Sequence, residues 1–279
     1  MKIELAKKYG FCFGVKRAIK IAENSPNSAT YGELIHNGEE IKRLKDNYNV
    51  KTLTSFESLK DEKSIIIRTH GITKGDLEAL QKEGKEIIDA TCPFVTSPQK
   101  IVEEMSKEGY NIVIFGDINH PEVKGIISYS KTPVFTTLNP SELDKERLGR
   151  KVAVISQTTK KIEEFTSLVN YLMTRVKEVR VFNTICNATL ENQEAVFELA
   201  KRADVMIIIG GKNSSNTKQL YLISKDICED SYHIENENEL KEEWFSGKKL
   251  CGISAGASTP DWIIQKVADK IKTITSATA

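Results

Sequence analysis

The stretch that decides the fold reads Val205-Met206-Ile207-Ile208-Ile209-Gly210-Gly211-Lys212-Asn213-Ser214-Ser215-Asn216. Its first five residues form an unbroken apolar run rich in Val and Ile, which is typical of a strand buried on both faces of a parallel sheet. A glycine pair and a Ser/Asn cluster follow, and helical periodicity then covers 215–226. The stretch therefore predicts a parallel strand, a loop and a helix in that order.

The same alternation of strand and helix extends along the chain in both directions. Further strands are predicted over 3–6, 64–68, 86–89, 111–115, 151–155, 179–182 and 250–253. Further helices are predicted over 14–24, 74–83, 98–108, 163–176, 192–202 and 260–273. This pattern predicts an α/β protein with mainly parallel sheets.

Composition narrows the class of protein. The 279 residues contain 39% hydrophobic and 28% charged residues, which excludes a disordered chain. Lys+Arg 40 against Asp+Glu 39 leaves a net charge of +1, so nothing in the charge favours a nucleic-acid partner, and any anion site must be local. Neither a signal peptide nor a bilayer-spanning run is present, so we expect a soluble, cytoplasmic protein without a membrane partner.

Three of the five cysteines mark a weak internal repeat. Cys12, Cys92 and Cys186 follow or close predicted strands, at separations of 80 and 94 residues. We therefore expect three α/β lobes, formed by residues 14–92, by 93–182, and by 1–13 together with 183–279. The odd number and long spacing of the cysteines are not those of a disulfide framework.

Two interpretations of these cysteines stay open. An isolated cysteine is most often a buried core residue, and we assign this role to Cys228 and Cys251. Cys12, Cys92 and Cys186 are either further core residues or ligands of a soft metal centre. Three thiolates on a four-iron cluster would leave one iron without a protein ligand, available as a Lewis acid.

Polar side chains gather in the loops after the predicted strands, where α/β proteins bind ligands. His36, His70 and His120 are either structural histidines or donors to an anion. Ser214, Ser215, Asn216 and Ser258 stand where helices begin, so they either cap those helices or bind phosphate there. Glu122 either complements a helix dipole or donates a proton. Phosphate-loop and dinucleotide-binding glycine motifs are absent from the sequence.

Nine motifs in register carry a resemblance to a known family. They are Gly10-Phe11-Cys12-Phe13-Gly14-Val15, Gly32-Glu33-Leu34-Ile35-His36-Asn37, Thr69-His70-Gly71, Asp89-Ala90-Thr91-Cys92-Pro93, His120-Pro121-Glu122-Val123, Gln157-Thr158-Thr159, Thr184-Ile185-Cys186-Asn187-Ala188-Thr189, Asn213-Ser214-Ser215-Asn216 and Ala255-Gly256-Ala257-Ser258-Thr259-Pro260-Asp261-Trp262. Together they resemble the LytB/IspH family of 4-hydroxy-3-methylbut-2-enyl diphosphate reductases, nearly from end to end.

The resemblance implies a trefoil of three α/β lobes around a central iron–sulfur cluster. It implies that Cys12, Cys92 and Cys186 hold an oxygen-sensitive 4Fe-4S cluster with one open iron. It implies that Glu122 and Thr158 are catalytic, with the Thr158 hydroxyl orienting the substrate and Glu122. It implies that the substrate is bound by His36, His70, His120, Thr158, Ser214, Ser215, Asn216 and Ser258, and that all of these except Thr158 lie at its diphosphate.

The implied reaction is the last step of the methylerythritol phosphate (non-mevalonate) route to isoprenoid precursors. Two electrons and two protons remove the allylic hydroxyl, giving isopentenyl and dimethylallyl diphosphate. The electrons are expected from a partner such as ferredoxin or flavodoxin. A cluster-dependent hydro-lyase and a non-enzymatic iron–sulfur metabolite sensor are the alternatives.

The sequence departs from the family pattern at a few positions. Leu190 and Asn192 follow Cys186 where Thr and Arg are common, and Asn183 replaces a common Asp. Lys160 and Lys161 stand where smaller or apolar residues are frequent. None of these positions belongs to the implied ligand or pocket set.

Overall fold

The computed structural model describes residues 1–277. Twelve strands lie in this range: β1 Lys2–Leu5, β2 Ala29–Tyr31, β3 Lys51–Leu53, β4 Ser64–Ile67, β5 Glu86–Asp89, β6 Asn111–Phe115, β7 Val134–Thr137, β8 Lys151–Ser156, β9 Glu178–Phe182, β10 Val205–Ile209, β11 Ser231–Ile234 and β12 Leu250–Ala255. The same range contains nine α-helices: α1 Phe13–Glu23, α2 Gly38–Tyr48, α3 Lys74–Lys82, α4 Pro93–Lys107, α5 Pro121–Ile127, α6 Ile162–Met173, α7 Asn187–Ala200, α8 Ser215–Ile227 and α9 Asp261–Ala277. Each of these helices is too short or too polar to cross a lipid bilayer.

The strands of residues 1–277 form three parallel sheets of four strands, and all three have the same topology. The first sheet has the order β3-β2-β4-β5 and the second β7-β6-β8-β9. The third has the order β11-β10-β12-β1, so the first strand of the chain takes the place that β5 and β9 hold in the other sheets. The predicted three parallel-sheet α/β lobes are therefore confirmed.

Contacts between residues divide the chain into two compact units. Met1–Lys16, His36–Lys42 and Asn187–Ala279 form the first unit, which contains the third sheet. Arg17–Ile35 and Arg43–Cys186 form the second unit, which contains the other two sheets. The finer lobe boundaries, 14–92, 93–182 and 1–13 with 183–279, stay a prediction, as does a trefoil arrangement.

Strand β10 shows why the apolar run of the sequence becomes a central strand. All five of its residues are fully buried, and successive side chains point to opposite faces of the sheet. Val205, Ile207 and Ile209 pack in a cluster with residues of α9, whereas Met206 and Ile208 pack with residues of α7 and α8. Burying each Ile side chain contributes about 1.5–3 kcal/mol, so both faces stabilise the strand.

The elements that the sequence analysis missed are short or polar. No strand was predicted at β2, β3, β7 or β11, because segments of three or four residues without an apolar run give too little periodicity. Helix α2 was also missed, and of α5 the sequence analysis indicated only the start, near Glu122. The predicted helix starts at 98 and 192 were wrong, since α4 begins at Pro93 and carries Pro98 inside it, and α7 begins at Asn187. Proline suits a first helical turn, and Pro93 rather than Pro98 occupies that position.

We expect Gly252→Ala to destabilise the third sheet. Gly252 lies opposite Met206 in the register of β10 and β12, and a Cβ there would meet the Met206 sulfur at 2.3 Å and Leu199 at 2.9 Å. Overpacking of this kind costs about 1–3 kcal/mol. The urea midpoint of unfolding, followed by circular dichroism, should fall.

Gly75→Ala is the matched control for this substitution. Gly75 lies in α3, and an added Cβ meets no atom within 4 Å. Alanine in a helix is favoured over glycine by about 0.8–1.0 kcal/mol, so the unfolding midpoint should hold or rise. Equal midpoints for wild type and Gly252→Ala would contradict the packing argument.

Candidate active site

Nine of the sequence-predicted site residues occupy three equivalent kinds of position in the three sheets. His36, His120 and Ser214 come after β2, β6 and β10. Each of these strands holds the second place in the strand order of its sheet. His70, Thr158 and Ser258 come after the neighbouring strands β4, β8 and β12. Cys92, Cys186 and Cys12 come after the edge strands β5, β9 and β1 and directly precede α4, α7 and α1. The repeated topology thus supplies one residue of each kind per sheet.

The remaining predicted residues lie in the first turns of helices. Glu122 is the second residue of α5, and Ser215 and Asn216 begin α8. The first compact unit holds Cys12, His36, Ser214, Ser215, Asn216 and Ser258, and the second holds His70, Cys92, His120, Glu122, Thr158 and Cys186. The structure brings residues together within each unit, and the convergence of all twelve in one site stays a prediction.

A buried carboxylate is the most constrained group of the second unit. Glu122 is only 1% exposed, and both of its carboxylate oxygens accept hydrogen bonds from Thr158. The Thr158 backbone N–H donates to Oε1 at 2.8 Å, and the Thr158 hydroxyl donates to Oε2 at 2.7 Å. These bonds join the loop after β8 to the helix after β6 and hold the carboxyl in one orientation.

Two imidazoles lie against each other in the same unit. The rings of His70 and His120 meet edge to face, with centroids 5.4 Å apart. His120 caps α5, because its Nδ1 accepts the Glu122 backbone N–H at 3.2 Å. A neutral imidazole that accepts at Nδ1 carries its proton on Nε2, so Nε2 is the nitrogen of His120 that can donate to an anion.

The first unit presents hydroxyl and amide groups at the start of α8. Ser214 caps this helix by accepting the Thr217 backbone N–H at 3.3 Å, so the capping role considered for it is confirmed. Asn216 Oδ1 accepts the Ala257 backbone N–H at 3.0 Å. In the described part of the chain, the buried Asn216 Nδ2 has no hydrogen-bond partner. A buried amide donor of this kind points to an acceptor from a ligand.

Ser258 and His36 are neighbours within the first unit. The Ser258 hydroxyl donates to the His36 backbone carbonyl at 3.0 Å. Gly211 lies against the same carbonyl, and a Cβ at this position would meet the His36 oxygen at 2.5 Å. Only glycine therefore permits this close approach of the two backbones.

The three strand-end cysteines share one backbone arrangement. Their N–H groups donate to carbonyls of the loops after β4, β8 and β12: Cys92 to Thr69 at 3.0 Å, Cys186 to Thr158 at 3.1 Å and Cys12 to Ala257 at 3.2 Å. All three are partly exposed. Each precedes a helix N-terminus, where the dipole favours the negative charge that a ligating thiolate carries.

The other two cysteines have a different environment, as the sequence analysis expected. Cys228 and Cys251 are buried in the third sheet and its helices. Burial raises the pKa of the Cys228 thiol, and it raises the pKa of Cys251 to about 12. Both are therefore protonated core residues at neutral pH, poorly suited to bind metal.

Two residues that hold loops in place, Gln157 and Arg17, were given no role in the sequence analysis. Gln157 links two loops, since its Oε1 accepts the Asp117 backbone N–H at 3.0 Å and its Nε2 donates to the Thr159 hydroxyl at 3.3 Å. Arg17 holds the loop before Cys92 by donating to the backbone carbonyls of Asp89 and Thr91, both at 3.1 Å. Gln157 stands within a quoted motif, but nothing in the sequence singles out Arg17.

Lys160, in the second unit, is a lysine in an unusual environment. Its side chain is 6% exposed, although lysine is among the residues least often buried. Burial lowers the pKa of its ammonium, and the nearby carboxylates of Asp117, Glu164 and Glu122 oppose that shift. The sequence analysis noted this position only as a departure from the family pattern.

Fold and side chains together define a class of protein. It is an α/β protein of three parallel sheets, with thiols, imidazoles, hydroxyls and a buried carboxylate at the carboxyl ends of the strands. The chain belongs to the LytB family, whose profile, described as LytB protein, matches residues 3–272. The resemblance found in the nine sequence motifs is thereby confirmed.

Two proteins named as reductases are similar to this chain over nearly its whole length. The chain is 71% identical over 275 residues to the 4-hydroxy-3-methylbut-2-enyl diphosphate reductase of Campylobacter fetus subsp. fetus, with 99% of both chains covered. It is 69% identical over 274 residues to the enzyme of that name from Campylobacter concisus, covering 98% of this chain and 100% of the relative.

Solved structures show the same similarity. A structure titled (E)-4-hydroxy-3-methyl-but-2-enyl diphosphate reductase, the terminal enzyme of the non-mevalonate pathway, matches with a TM-score of 0.72 and 45% identity, covering 98% of this chain and 100% of that one. The E-1-hydroxy-2-methyl-but-2-enyl-4-diphosphate reductase from Plasmodium falciparum matches with a TM-score of 0.90 and 26% identity, covering 96% of this chain and 86% of that one.

We expect alkylation to separate the cysteines into these two groups. Iodoacetamide at pH 8 should label Cys12, Cys92 and Cys186 in folded, cluster-free protein, because they are partly exposed. With a pKa of about 12, Cys251 is a thiolate in only about one molecule in 10⁴ at this pH. Peptide mass spectrometry measures the labelling, and unfolded protein, in which all five should react, is the control. Rapid labelling of folded Cys251 would contradict the assignment.

Proposed function

We propose that the chain is an iron–sulfur reductase that converts 4-hydroxy-3-methylbut-2-enyl diphosphate to isopentenyl and dimethylallyl diphosphate, the last step of the non-mevalonate isoprenoid pathway. The allylic C–O bond breaks, two electrons and two protons are taken up, and water leaves. The observation that carries the proposal is the buried Glu122 carboxylate held by Thr158, at strand ends that also supply thiols and anion-binding groups. Relatives at 71% and 69% identity bear the name of this enzyme.

The chemistry of the thiols fits a 4Fe-4S cluster with three protein ligands. Cys12, Cys92 and Cys186 are partly exposed and precede helix N-termini, whereas burial keeps Cys228 and Cys251 protonated. These three are the ligands we propose. When bound, such a cluster supplies electrons and an open iron that acts as a Lewis acid on a substrate oxygen.

The diphosphate-binding role rests on donors that suit phosphate oxygens. The proposed substrate-binding set consists of His36, His70, His120, Ser214, Ser215, Asn216 and Ser258 at the diphosphate, together with Thr158, which orients the substrate. His120 can donate through Nε2, and Asn216 Nδ2 is a buried donor without a protein partner among residues 1–277. Neutral hydroxyls, amides and helix N-termini hold phosphate without a large net charge.

Glu122 and Thr158 are proposed to manage the proton for the leaving hydroxyl. The two accepted hydrogen bonds match an ionised carboxylate, so Glu122 takes up a proton on Oε2 before it donates that proton towards the Thr158 hydroxyl, while burial and the Thr158 N–H keep the carboxyl in place. The Thr158 hydroxyl can rotate between the Glu122 oxygen and a substrate oxygen, since a hydroxyl both donates and accepts. Thr158 therefore orients both the Glu122 carboxyl and the substrate.

The electrons are proposed to come from a partner protein such as ferredoxin or flavodoxin. The sequence contains no glycine fingerprint for a nicotinamide or flavin dinucleotide that would supply them within the chain. A hydro-lyase would use the same residues without net reduction, and a sensor would bind the metabolite without turning it over. Uptake of two electrons per substrate distinguishes the reductase from both alternatives, and turnover of the substrate distinguishes a hydro-lyase from a sensor.

We expect an anaerobic assay of the cluster-loaded enzyme to show substrate-dependent oxidation of a reduced viologen dye, with two electrons per substrate. Glu122→Gln should lower kcat by about 10²- to 10⁴-fold, because the proton donor is lost, while substrate binding is retained. Glu163→Gln, which changes an exposed carboxylate of α6, is the matched control and should keep the rate. A fully loaded wild-type enzyme without dye oxidation would rule out the reductase.

We expect each of Cys12→Ala, Cys92→Ala and Cys186→Ala to lose the visible absorption and most of the bound iron after anaerobic reconstitution. Removing one of three thiolates leaves too few ligands for a stable cluster. Cys228→Ala and Cys251→Ala are the controls and should load normally, since their thiols are buried and protonated. Normal iron content in Cys12→Ala would remove Cys12 from the ligand set.

A further inference from the structure

One short piece of chain belongs to a different unit from the residues on either side of it. His36–Lys42, here called the crossing segment, is grouped with the first unit, although Arg17–Ile35 before it and Arg43–Cys186 after it are grouped with the second. The crossing segment contains the first turn of α2 and begins with His36, which is proposed to bind the substrate diphosphate. The contacts that the crossing segment makes within the first unit therefore position His36.

Two hydrogen bonds within the first unit hold the crossing segment. The Ser258 hydroxyl donates to the His36 carbonyl at 3.0 Å, and the Trp262 indole Nε1–H donates to Glu40 Oε2 at 3.1 Å. The direction of the second bond is fixed, because an indole nitrogen is a donor only. The two donors are four residues apart, as are the two acceptors, so one stretch of chain after β12 holds the crossing segment at two points.

A hydrogen-bonded turn connects these two points. The buried Asn37 side chain accepts the Glu40 backbone N–H at Oδ1, at 3.0 Å, as a residue that caps a helix does. The Asn37 carbonyl accepts the Ile41 backbone N–H at 3.1 Å, which closes the first turn of α2. The turn therefore couples the position of Glu40 to that of His36, the residue before Asn37.

The second point is a carboxyl in an unfavourable place. Glu40 is 1% exposed, and glutamate is almost never fully buried unless it is paired. A donor to a buried carboxyl offsets part of the cost of removing it from water, and that cost returns when the donor is lost. Trp262 is such a donor, and its ring packs against the core cluster of the third sheet. The bond therefore attaches Glu40 to a well-packed part of the first unit.

We propose that Glu40 and Trp262 are positioning residues, whose buried hydrogen bond anchors the crossing segment in the first unit and thereby places His36 to bind the substrate diphosphate. The role rests on the proposed reductase function, in which His36 contacts the diphosphate. Neither Glu40 nor Trp262 is required to touch the substrate or the cluster. Loss of the bond should therefore weaken diphosphate binding, while the rate at saturating substrate is kept.

The test measures binding of isopentenyl diphosphate to the cluster-loaded enzyme by calorimetry. Trp262→Phe keeps an aromatic ring but removes the N–H donor, and Glu40→Leu removes the acceptor. In each variant the Kd for this diphosphate and the KM for substrate should rise about three- to tenfold, the equivalent of one hydrogen bond, with kcat retained. Glu40→Gln keeps an acceptor oxygen and should bind like wild type.

A double-mutant cycle tests the pair itself. Because the two side chains act through one bond, the combined variant Glu40→Leu/Trp262→Phe should bind about as weakly as either single variant. Trp244→Phe changes the other tryptophan of the chain, which stacks on Tyr232 in the same unit, and is the matched control that should keep the Kd. Gly252→Ala, which is expected to destabilise the same unit, should also keep the Kd.

Hydrogen exchange separates this inference from the reductase proposal. In protein without substrate, amide exchange of the peptide that covers the crossing segment should become faster in Trp262→Phe and stay unchanged in Trp244→Phe. Mass spectrometry measures this exchange without any turnover. If the wild type binds no diphosphate, the proposed binding site is overturned, whereas faster exchange in Trp262→Phe would still support the anchor.

Three results would overturn the positioning role while the reductase proposal stands. The first is unchanged exchange and an unchanged Kd in both Trp262→Phe and Glu40→Leu. The second is a lower unfolding midpoint with an unchanged Kd, which would make the bond a contribution to stability alone. The third is a double-mutant cycle in which the two single effects multiply, because the two side chains would then act independently.

Discussion

Parallel pairing is the constraint on which the rest of each sheet depends. Parallel strands place all their carboxyl ends at one edge, and their connecting helices bury both faces. Strand β10 satisfies this with five buried residues whose side chains alternate between two helical layers. Because the same strand order occurs in all three sheets of residues 1–277, one edge of each sheet collects equivalent loops. The chemical groups at that edge then depend on which side chains those loops contain.

Hydrogen bonds between neighbouring loops convert this topology into positioned groups. In each of the three sheets, a hydrogen bond joins the segments that follow the two central strands. The bonds run from Thr69 to Leu34, from Thr158 to Glu122, and from Ala257 to Asn216. The carbonyls of Thr69, Thr158 and Ala257 then accept the N–H groups of the three strand-end cysteines. The side chains differ among the sheets, but the backbone arrangement that holds them is repeated.

Burial gives chemically identical groups different properties. Cys251 lies inside a strand where desolvation raises its pKa to about 12, whereas Cys12 precedes a helix and is partly exposed. The carboxylates also differ in burial, but in the opposite sense, since Glu122, which is proposed to handle the proton, is 1% exposed, whereas Glu163 is exposed. A buried carboxylate is costly unless it is compensated, and the two hydrogen bonds from Thr158 contribute to that compensation.

The sequence by itself determined the class of fold, the long buried strands and the candidate residues, because apolar runs, helical periodicity and motif order are local properties. It also indicated that Cys228 and Cys251 are core residues. Only the tertiary structure decided the strand order, the polar strands β2 and β11, and the bonds between Glu122 and Thr158. Lys160 belongs to this second group, since no local sequence pattern indicates that its side chain is buried. Local patterns encode which faces are apolar, whereas pairing and desolvation arise when separate segments meet.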